Sequence, residues 1–137
     1  MVCFGRLRIN PVRNTLFLQI TTMITSNGNY WPAIREIMAG FPQTVESTSY
    51  GTPAYKVNKK LLLRLKEDGQ TLVLHSDNRD IFLKSDPSVF FVTEHYANYP
   101  YVLVNLNKIR KDKLRTAIKQ SWMELAPKKL LDAYLSK

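Results

Sequence analysis

The spacing of apolar residues changes from helical to strand-like and back along this chain, and these changes divide it into elements. Residues 30–40 carry apolar side chains at intervals of three and four, which predicts an amphipathic helix. Asn29 is a candidate N-cap, Pro32 falls in the first turn, and Gly40-Pro42 supply a stop. The apolar stripe consists of Tyr30, Trp31, Ile34, Ile37, Met38 and Phe41.

Three strands are predicted next, because polarity then alternates at every second residue. They include residues 55–57, 61–66 and 71–76, joined by a tight connection at Asn58-Lys59 and a hairpin signal at Asp68-Gly69. The face expected to point to the core contains Tyr55, Val57, Leu61, Leu63, Leu65, Leu72 and Leu74. The opposite face contains Lys56, Arg64, Lys66, Thr71, Val73 and His75.

The second half of the chain predicts more helices than strands. A short helix is expected over residues 78–84, and strands over 89–93 and 101–107. An amphipathic helix follows over residues 112–125, and Pro127 begins a last helix. Hairpin-linked strands with segregated helices predict an α+β fold, with an antiparallel sheet of about five strands covered by helices on one face. The predicted order is one helix, three strands, one helix, two strands and two helices.

Length and composition are those of a single globular domain. The chain has 137 residues, 45% of them hydrophobic, and we expect residues 29–137 to form the domain. Residues 1–28 are expected to form a flexible N-terminal extension, with Met23 as an alternative start. The only cysteine is Cys3, so no intrachain disulfide can form, which fits a reducing, cytoplasmic location. No apolar stretch has the length of a membrane span.

The formal net charge of +9 is concentrated at the two ends of the chain. Residues 1–28 contain three arginines and no acidic residue, residues 29–107 eight basic and eight acidic residues, and residues 108–137 nine basic and three acidic residues. Two interpretations remain open. The charge either makes a well-solvated surface or attracts a polyanion such as nucleic acid.

Seven basic residues are candidates for contacts with nucleic acid. They lie on the outward sheet face, at the first hairpin tip and at the start of the last helix: Lys56, Lys59, Lys60, Arg64, Lys66, Lys128 and Lys129. Cations on such positions can bind phosphates. The competing interpretation is structural. The cations on the sheet face are then its solvated half, those at the hairpin tip protect a sheet edge from pairing, and the two at the start of the last helix are simply exposed lysines.

Aromatic residues beside turn-forming residues give a second candidate site. Tyr50, His95, Tyr96 and Tyr99 could line a pocket for a base or a small ligand, although such rings also pack loops and cores. Gly51 is expected to need a positive φ at the entry to a strand.

Catalytic and metal-binding motifs are absent from the sequence. It has no nucleophile elbow, phosphate-binding glycine loop or H-E-x-x-H motif, so no enzyme activity and no cofactor are expected. His75 and His95 are the only histidines, and their spacing predicts no metal site. Glu46 and Glu94 are interpreted as surface or capping carboxylates.

From Phe41 to the C-terminus the chain resembles the MmcQ/YjbR family. The matching pieces are Phe41-Pro42, Val45-Glu46, Ser49-Tyr50-Gly51-Thr52-Pro53-Ala54, Lys60, Arg64-Leu65, Asp86-Pro87, Phe90-Phe91, His95-Tyr96, Tyr99-Pro100, Val102-Leu103-Val104 and Ala126-Pro127-Lys128. No single piece is specific to the family. The resemblance rests on all of them occurring in this order. It implies a CyaY-like α+β fold and a DNA-binding protein of the "double wing" type.

Two departures from that family bear on binding. Asn58-Lys59-Lys60 stands where a glycine before the lysine is expected, which adds charge to the hairpin tip, and Asn105 stands where a basic residue is common. We therefore expect a monomer that binds double-stranded DNA without strong sequence preference, through the hairpin tip and the C-terminal helices. The alternative is a small-molecule or protein-binding module that uses the aromatic residues.

Overall fold

The structure is a computed structural model that describes residues 29–136. The expected N-terminal extension over residues 1–28, with its alternative start at Met23, lies outside the described residues. Within the described part, no helix is long and apolar enough to cross a membrane.

The first helix forms where the apolar stripe predicts it. Helix α1 spans Trp31–Met38, and the backbone N–H of Trp31 donates to Asn29 Oδ1 at 3.2 Å. The N-cap residue of this helix is Tyr30, so Asn29 lies one residue before the N-cap position that was predicted for it. All six residues of the predicted stripe are buried.

The remaining elements form one antiparallel sheet with helices. The strands are β1 (Thr44–Ser49), β2 (Thr52–Val57), β3 (Lys60–Leu65), β4 (Thr71–His75), β5 (Phe90–Phe91) and β6 (Tyr101–Asn105). The further helices are α2 (Asp80–Ser85), α3 (Lys111–Leu125) and α4 (Lys128–Leu135), and a 3₁₀ turn covers Glu94–Tyr96. The strand order is β1-β2-β3-β4-β6-β5, with every neighbouring pair antiparallel. The predicted α+β class and antiparallel sheet are confirmed.

Strand β1 is the element that the sequence pattern missed. Its residues are Thr44-Val45-Glu46-Ser47-Thr48-Ser49, and Val45, its only large apolar residue, is 61% exposed. An edge strand without an apolar face has no hydrophobic alternation to detect. Its threonines and valine nevertheless favour extended backbone.

Two tight hairpins build the first three strands. Tyr50 and Gly51 link β1 to β2 with φ values of 52° and 78°, and Asn58 and Lys59 link β2 to β3 with values of 52° and 68°. Positive φ at both central residues suits two-residue hairpins, because the turn then matches the twist of the strands. The tight connection and the positive φ expected at Gly51 are confirmed.

The main core lies between one sheet face and helices α1, α3 and α4. Strand residues of this core include Tyr55, Leu63 and Leu74, as the alternation predicts. Leu61 was predicted to belong there, and this is wrong. Tyr55 pairs with Leu63 but Lys56 pairs with Leu61, so Leu62 is an extra residue.

This β-bulge explains the exchange of faces. An extra residue shifts the alternation of the strand that carries it. Leu62 is therefore fully buried in the main core, whereas Leu61 is only half-buried and lies on the opposite face, beside Lys56.

The second sheet face has a smaller apolar cluster of its own. Val73 and Leu103 are completely buried there under Tyr96, with partly buried Phe91, Val92 and Tyr101 packed against them. Residues 91–101 cover part of this face without a helix longer than the 3₁₀ turn. The helices therefore cover one face of the sheet, as predicted. An irregular segment covers part of the other face.

Glu46 ties the edge strand β1 to helix α1. Its carboxylate accepts hydrogen bonds from Arg35 (2.7 Å from Nη2 to Oε2), from Trp31 Nε1 (3.2 Å) and from the Tyr55 hydroxyl (3.4 Å). The hydrogen bond from Arg35, and then that from Trp31, holds the pKa of Glu46 below its ordinary value. Glu46 is exposed, as expected of a surface carboxylate, and it joins a strand to a helix instead of capping one.

Replacing Gly51 by alanine should destabilise the fold. A Cβ at this position would meet no heavy atom within 4 Å, so the cost comes from a φ of +78°. We expect a loss of about 1 kcal/mol or more in the free energy of unfolding, measured with urea. Gly40→Ala is the matched control, because its Cβ would make only ordinary contacts at 3.5 and 3.6 Å. Equal effects in the two variants would contradict the explanation from backbone geometry.

Stability should contain a pH-dependent contribution from Glu46. Its pKa is lower in the folded chain than in the unfolded chain, where glutamate titrates near about 4.3. The stabilisation is therefore complete above that value and is lost as pH falls through the lower folded value. In urea unfolding at low salt, Glu46→Gln should be less stable than the native chain near neutral pH, and this difference should shrink on acidification. Glu94→Gln controls for removing a carboxylate, and a difference that does not change with pH would refute the assignment.

A basic, aromatic groove as the candidate functional site

The groove lies on the sheet face opposite the helices. It has a volume of about 450 Å³ and is bordered by the β1–β2 turn, strands β2 and β3, and the segment before β6. Three cationic side chains contribute to it: Lys56, Lys59 and Arg64. Five rings do so as well: Tyr50, His95, Tyr96, Tyr99 and Tyr101. The structure thus unites part of the predicted cationic set with all four residues of the predicted aromatic pocket.

The rings of the groove differ in exposure. Tyr50 is 83% exposed and Tyr99 56% exposed, and His95 is also exposed. Tyr96 is only 8% exposed, because it covers Val73 and Leu103. Tyr50, Tyr99 and His95 therefore offer ring surface to a ligand, while Tyr96 packs the second face.

Arg64 is a buried cation at the base of the groove. It is 6% exposed; Nη1 donates to Thr52 Oγ1 at 3.0 Å and Nη2 to the Tyr96 hydroxyl at 3.1 Å. Its guanidinium carbon lies 5.1 Å from the centroid of the Tyr50 ring. These contacts orient Tyr50 and Tyr96, so Arg64 acts first as a positioning residue and presents little surface of its own.

The charge of the groove is positive. No carboxylate contributes to its lining among the described residues, although Glu67 Oε2 lies 3.6 Å from Arg64 Nη1 at one side. Lys56 is half-buried and Lys59 exposed, which leaves two ammonium groups near the exposed rings. Burial, and then the nearby Tyr96 and Tyr50, raise the pKa of Tyr101 above its ordinary value.

Arg79 holds the segment that supplies three of the rings. Its Nη1 donates to the carbonyl oxygens of Tyr96 (3.0 Å), Tyr99 (2.7 Å) and Tyr101 (3.1 Å), and its Nη2 to that of Ala97 (2.6 Å). A planar guanidinium can satisfy several carbonyl groups that have no strand or helix partner. Sequence reasoning missed Arg79, because a single arginine before a short helix carries no signal of such contacts.

The other predicted cations lie outside the groove. Lys60 is exposed at the start of β3, next to the hairpin tip, and Lys66 follows the end of β3. Lys128 and Lys129 begin α4, whose Leu130, Leu131 and Tyr134 pack against the main core. The last two therefore belong to the helical layer and do not extend the positive surface of the groove.

A cluster of possible metal ligands forms at a separate place. His75, Asp77 and Glu124 bring one nitrogen and two carboxylate oxygens within 4.8 Å of one another. The sequence spacing predicted no such set, because Glu124 lies 47 residues beyond Asp77 and only the pairing of α3 with the end of β4 unites them.

Comparisons with known proteins identify the fold first. A crystal structure of the Deinococcus radiodurans protein DR2400, described as a DUF419 domain, superimposes with a TM-score of 0.60 over 85% of this chain and 87% of that chain. Sequence identity is 15%, so this similarity shows a shared fold. No family model matches the sequence.

The sequence relatives are mycobacterial. "Uncharacterized protein Rv2570" of Mycobacterium tuberculosis and "Uncharacterized protein Mb2600" of Mycobacterium bovis are each 32% identical over 127 residues, covering 77% of this chain and 95% of the relative. The chain belongs to the family of these proteins. The resemblance to MmcQ/YjbR proteins stays a prediction.

Arg79→Lys should loosen the segment that borders the groove. A lysine keeps the charge but cannot reach four carbonyl groups at once, so we expect a loss of about 2 kcal/mol in unfolding free energy. Amide hydrogen exchange should quicken at residues 97–101 more than in the main core. Arg115→Lys, on the exposed surface of α3, is the control. Unchanged exchange at residues 97–101 would show that Arg79 does not hold the segment.

Proposed function

We propose that this protein binds nucleic acid without strong sequence preference through the groove, as the resemblance to MmcQ/YjbR proteins also suggests. The observation that carries the proposal is the combination of Lys56, Lys59 and exposed rings on one sheet face, with no carboxylate among the described residues that line it. Nonspecific nucleic-acid sites combine cations that follow the phosphates with rings on which bases stack.

Each part of the groove has a matching part in the ligand. The ammonium groups of Lys56 and Lys59 suit phosphate oxygens, whereas Lys60 pairs with the core residue Val57 and so lies on the other face of the sheet. The exposed faces of Tyr50 and Tyr99 suit base stacking. A base inside a duplex has both faces covered, so these rings favour single-stranded DNA, while the hairpin tip can contact the backbone of a duplex.

The C-terminal helices have a smaller part in this proposal than the sequence predicted. Lys128 and Lys129 lie in the helical layer, away from the rings. They can add general attraction to a polyanion but share no surface with a base held in the groove.

A second candidate function is binding of a small anionic ligand that carries an aromatic ring. The enclosed base of the groove favours it, since Arg64 and Tyr96 are buried and already oriented. A volume of about 450 Å³ lies within the range of small-molecule sites. A mononucleotide has the same chemistry as one unit of a strand, so strand length distinguishes the two candidates.

Salt dependence of DNA binding tests the proposal. Fluorescence anisotropy with labelled single-stranded and duplex DNA of the same sequence should show weaker binding at about 200 mM salt than at about 50 mM. The double variant Lys56→Ala/Lys59→Ala should weaken binding for all sequences and lower the salt slope by about two. Lys119→Ala, an exposed lysine on α3, removes one charge outside the groove and should change the slope less.

The rings are tested separately from the charges. Tyr99→Ala should weaken single-strand binding by about 1–3 kcal/mol with little change in the salt slope. Binding of a mononucleotide as tight as that of a long strand would favour the second candidate. No binding of either DNA at the lower salt concentration would refute the nucleic-acid proposal.

A further inference from the structure

The cluster of His75, Asp77 and Glu124 lies where β4 ends against the last turn of α3. His75 is the final residue of β4, Asp77 follows two positions later, and Glu124 is next to the end of α3. His75 Nε2 lies 3.3 Å from Asp77 Oδ1 and 3.7 Å from Glu124 Oε1. None of the three contributes to the basic groove.

The ring nitrogen is buried and has no hydrogen bond. His75 is 9% exposed, and its Nε2 is enclosed and without a hydrogen-bond partner among the described residues, although two carboxylates lie within ion-pair distance. The nitrogen and the oxygens therefore face one region without the alignment that a direct hydrogen bond requires. Buried polar atoms in native proteins are almost always satisfied, so this nitrogen calls for a partner.

We propose that His75 Nε2, Asp77 Oδ1 and Glu124 Oε1 bind a divalent transition-metal ion. Ligand distances of about 2.0–2.2 Å place neighbouring donors of a tetrahedral ion roughly 3.4 Å apart. The separations of 3.3 and 3.7 Å from His75 Nε2 are close to this, and all three donor atoms lie within 4.8 Å of one another. Asp77, whose side chain is 64% exposed, can adjust by rotation.

The surroundings support a cation at this point. The backbone N–H of Asp77 donates to Glu124 Oε1 at 3.1 Å and orients that carboxylate, as outer contacts do in metal sites. The Glu124 side chain is 18% exposed, and its carboxylate lies within 4.8 Å of that of Asp77. A positive ion between the two carboxylates would offset their mutual repulsion.

The ligand set indicates the class of metal. One imidazole and two carboxylates suit Zn²⁺, Mn²⁺ or Fe²⁺ better than the softer ions that select sulfur, and the imidazole disfavours Mg²⁺ and Ca²⁺. Three protein ligands leave at least one position for water or a small ligand. Glu124 also borders a cavity of about 270 Å³ with Asn78 and Gln120, which gives such a ligand room beside the site.

Metal titration of the full chain tests the proposal. After treatment with a chelator, calorimetric titration with Zn²⁺ and with Co²⁺ should show one saturable site per chain, and saturating Zn²⁺ should raise the melting temperature. Asp77→Asn and Glu124→Gln should each weaken binding by at least about tenfold. His75→Ala should abolish it. The chain offers a matched control in His95→Ala, which removes the other histidine and should bind as the native chain does.

Three outcomes would overturn the proposal. The first is no saturable binding of either ion, which leaves a histidine held between carboxylates without a metal. The second is equal weakening by His95→Ala, which places the ion elsewhere. The third is unchanged affinity in both Asp77→Asn and Glu124→Gln. Because Asp77 is exposed, Asp77→Asn should fold, so the test holds even if His75→Ala unfolds; circular dichroism of each variant checks this.

Discussion

Burial of the central strands on both faces is the constraint on which the rest of the structure depends. β3, β4 and β6 are almost entirely buried, and their inward residues pack under α1 and α3. Their other face carries Val73 and Leu103, which also need cover. In the described part of the chain, residues 91–101 pack over them, and this segment forms no long helix. Arg79 donates to four carbonyl oxygens of the segment, of which those of Tyr96 and Tyr99 also accept backbone N–H groups within it.

The position of the groove depends on how far residues 91–101 extend over the second face of the sheet. The segment over the second face reaches β4 and β6 and contacts Arg64 of β3 through Tyr96, but it leaves Lys56 and Leu61 partly exposed. The bulge at Leu62 then sets which side chains occupy the open part, because it places Lys56 and Leu61 on the same face. Bulges often redirect side chains next to functional sites. The groove is thus the region between a partial second layer and the first two hairpins.

Much of the fold could be predicted from the sequence because its signals are local. The stripe of α1, the Asn58-Lys59 connection and the Asp68-Gly69 hairpin each depend on a few neighbouring residues. The misses depend on contacts between distant residues. β1 has no apolar face, the bulge at Leu62 shows only in the pairing register, and Arg79 binds carbonyl groups about twenty positions away.

The same distinction between local signals and contacts of distant residues applies to the candidate site. The rings could be named from the sequence because they occur in two short blocks that contain Gly51 and Pro100, and the sheet lysines because of strand alternation and the hairpin signal. The sequence could not predict that these rings and lysines come together in one groove, since this requires the irregular segment before β6 to fold over the sheet. Lys128 and Lys129 were chosen for their charge and their place at the start of a helix, and neither property specifies the layer in which that helix packs.

The groove and the His75 cluster are neighbours with opposite electrostatic character. His75 pairs with Tyr101 across β4 and β6, and the two rings meet edge to face with centroids 5.7 Å apart. Tyr101 borders the groove on its other side. Lysines facing exposed rings select an anion, whereas two carboxylates beside an imidazole select a cation. Tyr101 therefore lies between a groove lined by cations and a cluster that contains two carboxylates.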